Sequence, residues 1–297
     1  MKLPIQILIN PISQKPLSLK GTGLYDENNV KCAEFFDEDM RLDWISYNQY
    51  NELDNRVLRE INKYDNWADQ QSIKKNTTIL INDFNINGQK IYAENPNFKN
   101  LKLDLEELVK DKIVLDIGGS CIDTWRLLAA GATEVHHIEV SKNSQKFGLN
   151  RIKAKLGRDF DLTNKLFFHT SPAEYLPFIS NHFDFVFSRS TIHHTERILS
   201  LKEIHRVLKV EGFFLFFEPI QNVLINKIMH LSRKLRKVDR GTDNPLTKTD
   251  LNLLNNLFKE MQYYPKNLLL NDLGVINRWL LKSKNKKPNV PVLFGIK

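Results

Sequence analysis

Between residues 112 and 217 short apolar runs alternate with stretches of helical periodicity, and that alternation constrains the fold more than any other feature. Residues 113–117, Ile-Val-Leu-Asp-Ile, form a run suited to a strand buried on both faces. Further strand-like runs stand at 134–140, 166–169, 183–189 and 213–217. Helical segments lie between them at 124–130, 141–156 and 199–209, with Gly131 as a helix C-cap. This order implies βαβ units with right-handed crossovers, and hence an α/β fold with a mostly parallel sheet. Such sheets bind ligands beyond the carboxyl ends of their strands.

The first run ends in Asp116-Ile117-Gly118-Gly119-Ser120, directly before a helical segment. Glycine there lets a ligand approach the backbone, and the next helix starts with N–H groups unpaired within the helix. Glu139, 23 residues after Asp116, ends the second strand, where a carboxylate accepts hydrogen bonds from ribose hydroxyls. A dinucleotide fingerprint requires glycine at its first, third and sixth positions. Counting from Gly118, the third and sixth are Ser120 and Asp123, so the dinucleotide reading fails at two places of three.

Five ordered segments resemble class I S-adenosylmethionine-dependent methyltransferases of the type 11 kind. Residues 114–119 are similar to that family's first motif, and Glu139 to its ribose-binding acid. Ala173-Glu174-Tyr175-Leu176-Pro177-Phe178 resembles its segment beside the adenine. Phe183-Asp184-Phe185-Val186-Phe187-Ser188, followed by Ile192-His193-His194, resembles its fourth strand and the turn after it. Residues 203–209 with Glu211-Gly212 are similar to its helix and turn before the fifth strand. The resemblance implies a Rossmann-like, seven-stranded, mostly parallel sheet with helices on both faces, and S-adenosyl-L-methionine as cofactor. It implies cofactor contacts from Asp116, Gly118, Gly119, Ser120, Glu139, Ser171, Ala173, Glu174 and Ser188, and no metal. The family usually has glycine where Ser120 stands and often where Ile122 stands, so Ile122 is expected to crowd the methionine end of the cofactor.

A sulfonium is already a good leaving group, so methyl transfer asks the protein mainly for alignment and desolvation. A base is needed only where the acceptor must lose a proton. His193 and His194 follow the fourth strand and are the candidate catalytic residues, since histidine titrates near neutrality. The alternative is that they pack the sheet edge. Arg189 and Glu218-Pro219 end strands facing the same crevice.

The remainder divides into an N-terminal accessory region, residues 1–100, and the methyltransferase-like region, 101–297, with a helical insertion near 220–245. Residues 1–30 read as short strands and turns, 39–75 as helical, 76–100 as a polar linker and 101–110 as a helix. The first thirty residues are also faintly similar to a zinc-ribbon-like module found ahead of some bacterial methyltransferases. Asn10 stands there at the expected position of the first metal-binding cysteine. The acidic run at 37–39 reads as a solvated face.

The net charge of +8 is unevenly placed: after Pro219 there are 15 Lys and Arg against 5 Asp and Glu. Within that basic quarter, 220–238 has the pattern of an amphipathic helix. It reads as a lid over the acceptor site, or as a surface for an anionic membrane or acidic ligand around 220–240. The expected activity is methylation of an oxygen or nitrogen on a small-molecule acceptor such as a sugar, lipid-linked compound or secondary metabolite. The alternatives are a nucleic-acid methyltransferase using the basic C-terminal quarter, against which no appended RNA-binding module is seen, and a non-catalytic protein retaining the fold. Two cysteines, no apolar run of about 18–20 residues and no secretory leader fit a cytoplasmic protein.

Overall fold

The computed structural model describes residues 3–46, 55–73, 104–157, 159–221, 244–264 and 292–297. The expected linker at 76–100 and most of the amphipathic segment at 220–238 lie outside these residues. Strands β5 (Ile113–Ile117), β6 (Glu134–Glu139), β7 (Leu166–Thr170), β8 (Phe183–Arg189) and β9 (Leu208–Phe217) are joined by parallel pairing in the order β7-β6-β5-β8-β9. Two antiparallel strands, β11 (Val292–Ile296) and then β10 (Lys259–Tyr264), complete a Rossmann-like set of seven. The order turns back beside β5, so the carboxyl ends of β5, β6 and β8 open on one crevice.

The expected seven strands are extended, among the described residues, to eleven. The N-terminal region supplies β1 (Ser18–Lys20), β2 (Gly23–Tyr25), β3 (Lys31–Phe36) and β4 (Arg41–Asp43), an antiparallel meander. Its last strand pairs in parallel with β7, Leu42 opposite His169, so the accessory region joins the main sheet. This corrects the expectation that 39–75 is helical throughout. Residues 41–43 follow a partner some 125 positions away, and the helix α1 (Asn55–Ile73) begins only afterwards. Within the short strands and turns expected of residues 1–30, Ile5–Ile7 forms a 3-10 turn.

Helices cover both faces. On one side α2 (Leu105–Val109), α3 (Thr124–Ala129) and α4 (Lys142–Leu156) bury Leu105, Trp125, Leu149 and Ile152 against Phe185 and Phe187. On the other, α5 (Arg197–Val207) and α6 (Lys248–Leu257) bury Leu201, Ile204 and Leu254 against Val186, Phe214 and Phe216. Ser141 caps α4, accepting the Ser144 N–H, and Thr247 with Asp250 forms a capping box on α6. The strand β9 is longer than its apolar run because Glu211, at φ 62°, makes a bulge where a turn was expected. No described helix is long and apolar enough to cross a membrane.

A polar chain ties the meander to the sheet. The Trp44 indole donates to His169 Nδ1 at 3.4 Å, His169 Nε2 donates to His136 Nδ1 at 3.0 Å, and His136 Nε2 donates to Glu134 at 3.4 Å. One set of neutral tautomers satisfies all three bonds. Burial holds both histidines below the ordinary histidine range, and His182 beside them is pushed down to about 4 by burial and by His136. Burial, with Lys297, also lowers His205. The unfolded chain protonates its histidines below about pH 6.5 while these four resist, so their contribution to stability is full above that point and shrinks on acidification. His137 acts in the opposite sense. Burial disfavours its charge, but Cys121 and the Asp116 carboxylate outweigh this and raise it. With four histidines lowered and one raised, thermal melts recorded from about pH 7.5 to about pH 5.5 are expected to show a falling midpoint. A flat or rising midpoint contradicts the neutral chain.

Candidate active site

The turn after β5 is built on an unusual backbone. Gly118, Gly119, Ser120 and Cys121 all have positive φ, between 52° and 69°. Only the two glycines take this conformation without cost. A Cβ on Gly118 would stand 2.2 Å from Thr191 Oγ1, whereas one on Gly119 would meet the Arg189 carbonyl at 3.3 Å. Ser120 is held left-handed at φ 52°, ψ 41°, and its carbonyl accepts from Arg151. Ile122 takes ordinary helical angles and is not among the residues that line the cleft.

The turn borders a cleft at the carboxyl ends of β5, β6 and β8. Of the residues singled out from the sequence, Gly118, Gly119, Glu139, Ser171, Ala173, Glu174 and His194 line it. Glu139 is almost fully buried, and its Oε1 accepts the N–H groups of Val140 at 2.9 Å and Ser141 at 3.3 Å. Burial raises its proton affinity against the pull of His137 and these N–H groups. The Ser171 hydroxyl donates to the Tyr175 carbonyl at 3.1 Å, holding the segment that carries Ala173 and Glu174.

Asp116, Ser120, Ser188 and His193 stand behind the lining. Asp116 Oδ2 accepts from Thr124 Oγ1 at 2.6 Å and pairs with His137 Nδ1 at 3.0 Å, anchoring α3 and β6 beneath the turn. Ser188 Oγ lies 3.3 Å from both the Ile117 carbonyl and Glu218. His193 is buried, with Nδ1 2.6 Å from Glu218 Oε2.

Glu218, fully buried at the end of β9, organises the opposite wall. Besides His193 Nδ1, its carboxylate accepts the backbone N–H groups of Thr191, Ile192 and His193 at 2.9, 3.0 and 3.3 Å. These bonds fix the 3-10 turn Ile192–His194 and bring the His194 ring to the cleft, its centroid 3.9 Å from that of His193.

Four lining residues, Arg56, Val57, Glu60 and Tyr64, come from α1, within the stretch that the sequence marks as helical. Their spacing, 56, 57, 60 and 64, is one helical face, and that signal was legible in the sequence without revealing what the face covers. Arg56 donates to Glu174 and to the His194 carbonyl. Farther along, Asp65 accepts from the Ser141 hydroxyl and Asp69 from Asn143, so α1 spans from the β8 side to the start of α4. Trp67 packs edge-on against Phe147.

Residues 115–216 match the family described as "Methyltransferase domain". No curated protein matches the chain. Among solved structures, one chain from the complex between the Haloferax volcanii Trm112 methyltransferase activator and a methyltransferase is similar at 14% identity, covering 78% of this chain and 96% of that one, with a TM-score of 0.50. The YcgJ protein of Bacillus subtilis is similar at 19% identity over 65% of this chain and 94% of that one, TM-score 0.47. A SAM-dependent methyltransferase of Methanosarcina mazei is similar at 20% identity over 64% and 94%, TM-score 0.45. The stretch from β5 to β9 thus matches a methyltransferase domain.

The Gly118 contact yields a direct test. Gly118→Ala combines a positive φ with a collision against Thr191, and is expected to lower stability by about 2–4 kcal/mol in denaturant titration. Gly119→Ala, with only the backbone conformation against it, is expected to cost about 1–2 kcal/mol. Equal losses in the two variants contradict the packing account.

Proposed function

We propose that the domain transfers the methyl group of S-adenosylmethionine to an oxygen or nitrogen of a small molecule held between α1 and the turn after β8. The reading rests on one observation, the cleft that joins Glu139, the Gly118-Gly119 turn and His194 under α1. When bound, the cofactor supplies an electrophilic methyl group on a sulfonium whose departure is already favourable. Glu139 would accept the ribose hydroxyls, the turn at 118–120 would hold the methionine portion, and Ser171, Ala173 and Glu174 would hold the adenine. Asp116 and Ser188 support this site from beneath by holding β5, α3 and β8 in place. The fit is supported by the buried carboxylate at the end of β6 and by a glycine turn open to close approach.

His194 accepts the proton of the acceptor, and His193, held by Glu218, stiffens the turn that carries it. The charge of the wall favours a small acceptor over nucleic acid. Among the described residues, Glu60, Glu139 and Glu174 line the cleft with one arginine, Arg56, and this acidic balance repels a phosphate backbone. The N-terminal region is accessory in sequence but contributes to the site, since α1 lines the cleft.

Calorimetry with S-adenosylmethionine is expected to show one site. Glu139→Ala should weaken binding about 10–100-fold, the effect of losing hydrogen bonds of about 1.5–3 kcal/mol to a charged group. Affinity should also decline on acidification, beginning above the ordinary carboxylate range because Glu139 is raised. Absence of binding, or binding indifferent to Glu139→Ala, sinks the cofactor assignment. Salt-sensitive retention of the protein on RNA would turn the acceptor assignment toward nucleic acid.

A further inference from the structure

On one wall of the cleft four titratable side chains stand in a row. His193 Nδ1 meets Glu218 at 2.6 Å, the His193 and His194 rings lie 3.9 Å apart, and His194 Nδ1 faces Glu60 Oε1 at 3.8 Å. Glu218 belongs to the end of β9, the two histidines to the turn after β8, and Glu60 to α1. Each histidine therefore has its own carboxylate on the Nδ1 side. Only the outer pair, Glu60 and His194, lines the cleft.

Resting on the reading of this cleft as a methyltransferase site, we infer that Glu60 is the positioning residue for His194, and that the acceptor is a protic one, a hydroxyl or an N–H, which loses its proton as it is methylated. A carboxylate on the Nδ1 side favours the tautomer with hydrogen on Nδ1, which directs the basic Nε2 away from Glu60. It also offsets the positive charge that His194 acquires, in a site where water does little to screen it. The Glu60 side chain is 8% exposed, and the half-exposed Lys63 ammonium lies 3.5 Å from its carboxylate.

The acceptor's lone pair forms the new bond to the methyl carbon, the C–S pair stays on sulfur, and the acceptor's proton passes to His194 Nε2. Water then carries that proton away. An acceptor that attacks without a proton, such as a tertiary amine or a thioether, needs no such pair.

The other charged groups around His194 do not substitute for Glu60. On α1, Arg56 donates to the His194 backbone carbonyl and to Glu174, so its charge is answered by Glu174. On the turn itself, His193 is engaged by Glu218. From α5, Glu196 turns its carboxylate to the N–H groups of Ile198 and Leu199 as the cap of that helix. Across the cleft Glu139 is engaged by its own backbone N–H partners.

The test uses the full-length protein labelled with ¹⁵N-histidine and saturated with S-adenosylhomocysteine, so that no acceptor is required. The His194 resonance is identified by its loss in His194→Asn and followed with pH in the native protein, Glu60→Gln and Glu60→Asp. In Glu60→Gln the His194 titration midpoint is expected to fall by about one pH unit, the scale of a removed opposite charge at this distance. Glu60→Asp should recover part of that shift. Calorimetric affinity for S-adenosylhomocysteine should change less than about twofold in both variants, which also reports that the fold is intact. A His194 midpoint unmoved by Glu60→Gln overturns the inference, as does a loss of cofactor affinity tenfold or greater in a variant whose melting temperature is unchanged. Failure of the native protein to bind S-adenosylhomocysteine at all sinks the methyltransferase reading instead.

Discussion

The carboxylate of Glu218 is the contact on which the site depends. It accepts three consecutive backbone N–H groups and the His193 ring, far from water, and so fixes the turn after β8. Thr191, at the start of that turn, fills the space where a side chain on residue 118 would otherwise sit. The left-handed run from Gly118 to Cys121 thus packs against a wall that Glu218 holds still. A buried carboxylate of this kind is tolerable only when its lone pairs are answered, and here five donors answer them, counting the Ser188 hydroxyl. Removing it would release both walls of the cleft at once.

Polar chemistry inside the sheet follows the same rule elsewhere. Trp44, His169, His136 and Glu134 form one directed chain in which each donor has an acceptor, and it joins the meander to the parallel strands. Asp116, the acid of the first motif, spends its carboxylate on Thr124 and His137. The motif acid thus supports the loop above it, and the acid that lines the cleft is the one at the end of the next strand.

Much of the central architecture was legible. The strands at 113–117 and 183–189 match their apolar runs to the residue, because a strand buried on both faces has no exposed position to blur its ends. Gly118 and Gly119 were legible as a close-approach turn because positive φ at low cost is a property of the residue itself. The strand β4 was not legible. Residues 41–43 carry too short a pattern to distinguish strand from helix, and only the exposed edge of β7 decided it. Nor was β10, whose partner β11 begins 28 residues after it ends.

The sequence by itself determined the alternation of strands and helices, the glycine turn and the acid at the end of the second strand, all set by backbone sterics and hydrophobic period within a few residues. The tertiary structure decided what lines the cleft. Arg56 meets Glu174 across 118 positions, and Glu60 meets His194 across a similar span. No local pattern encodes such pairs, because they arise only where α1 packs over the crevice that the parallel sheet has already formed.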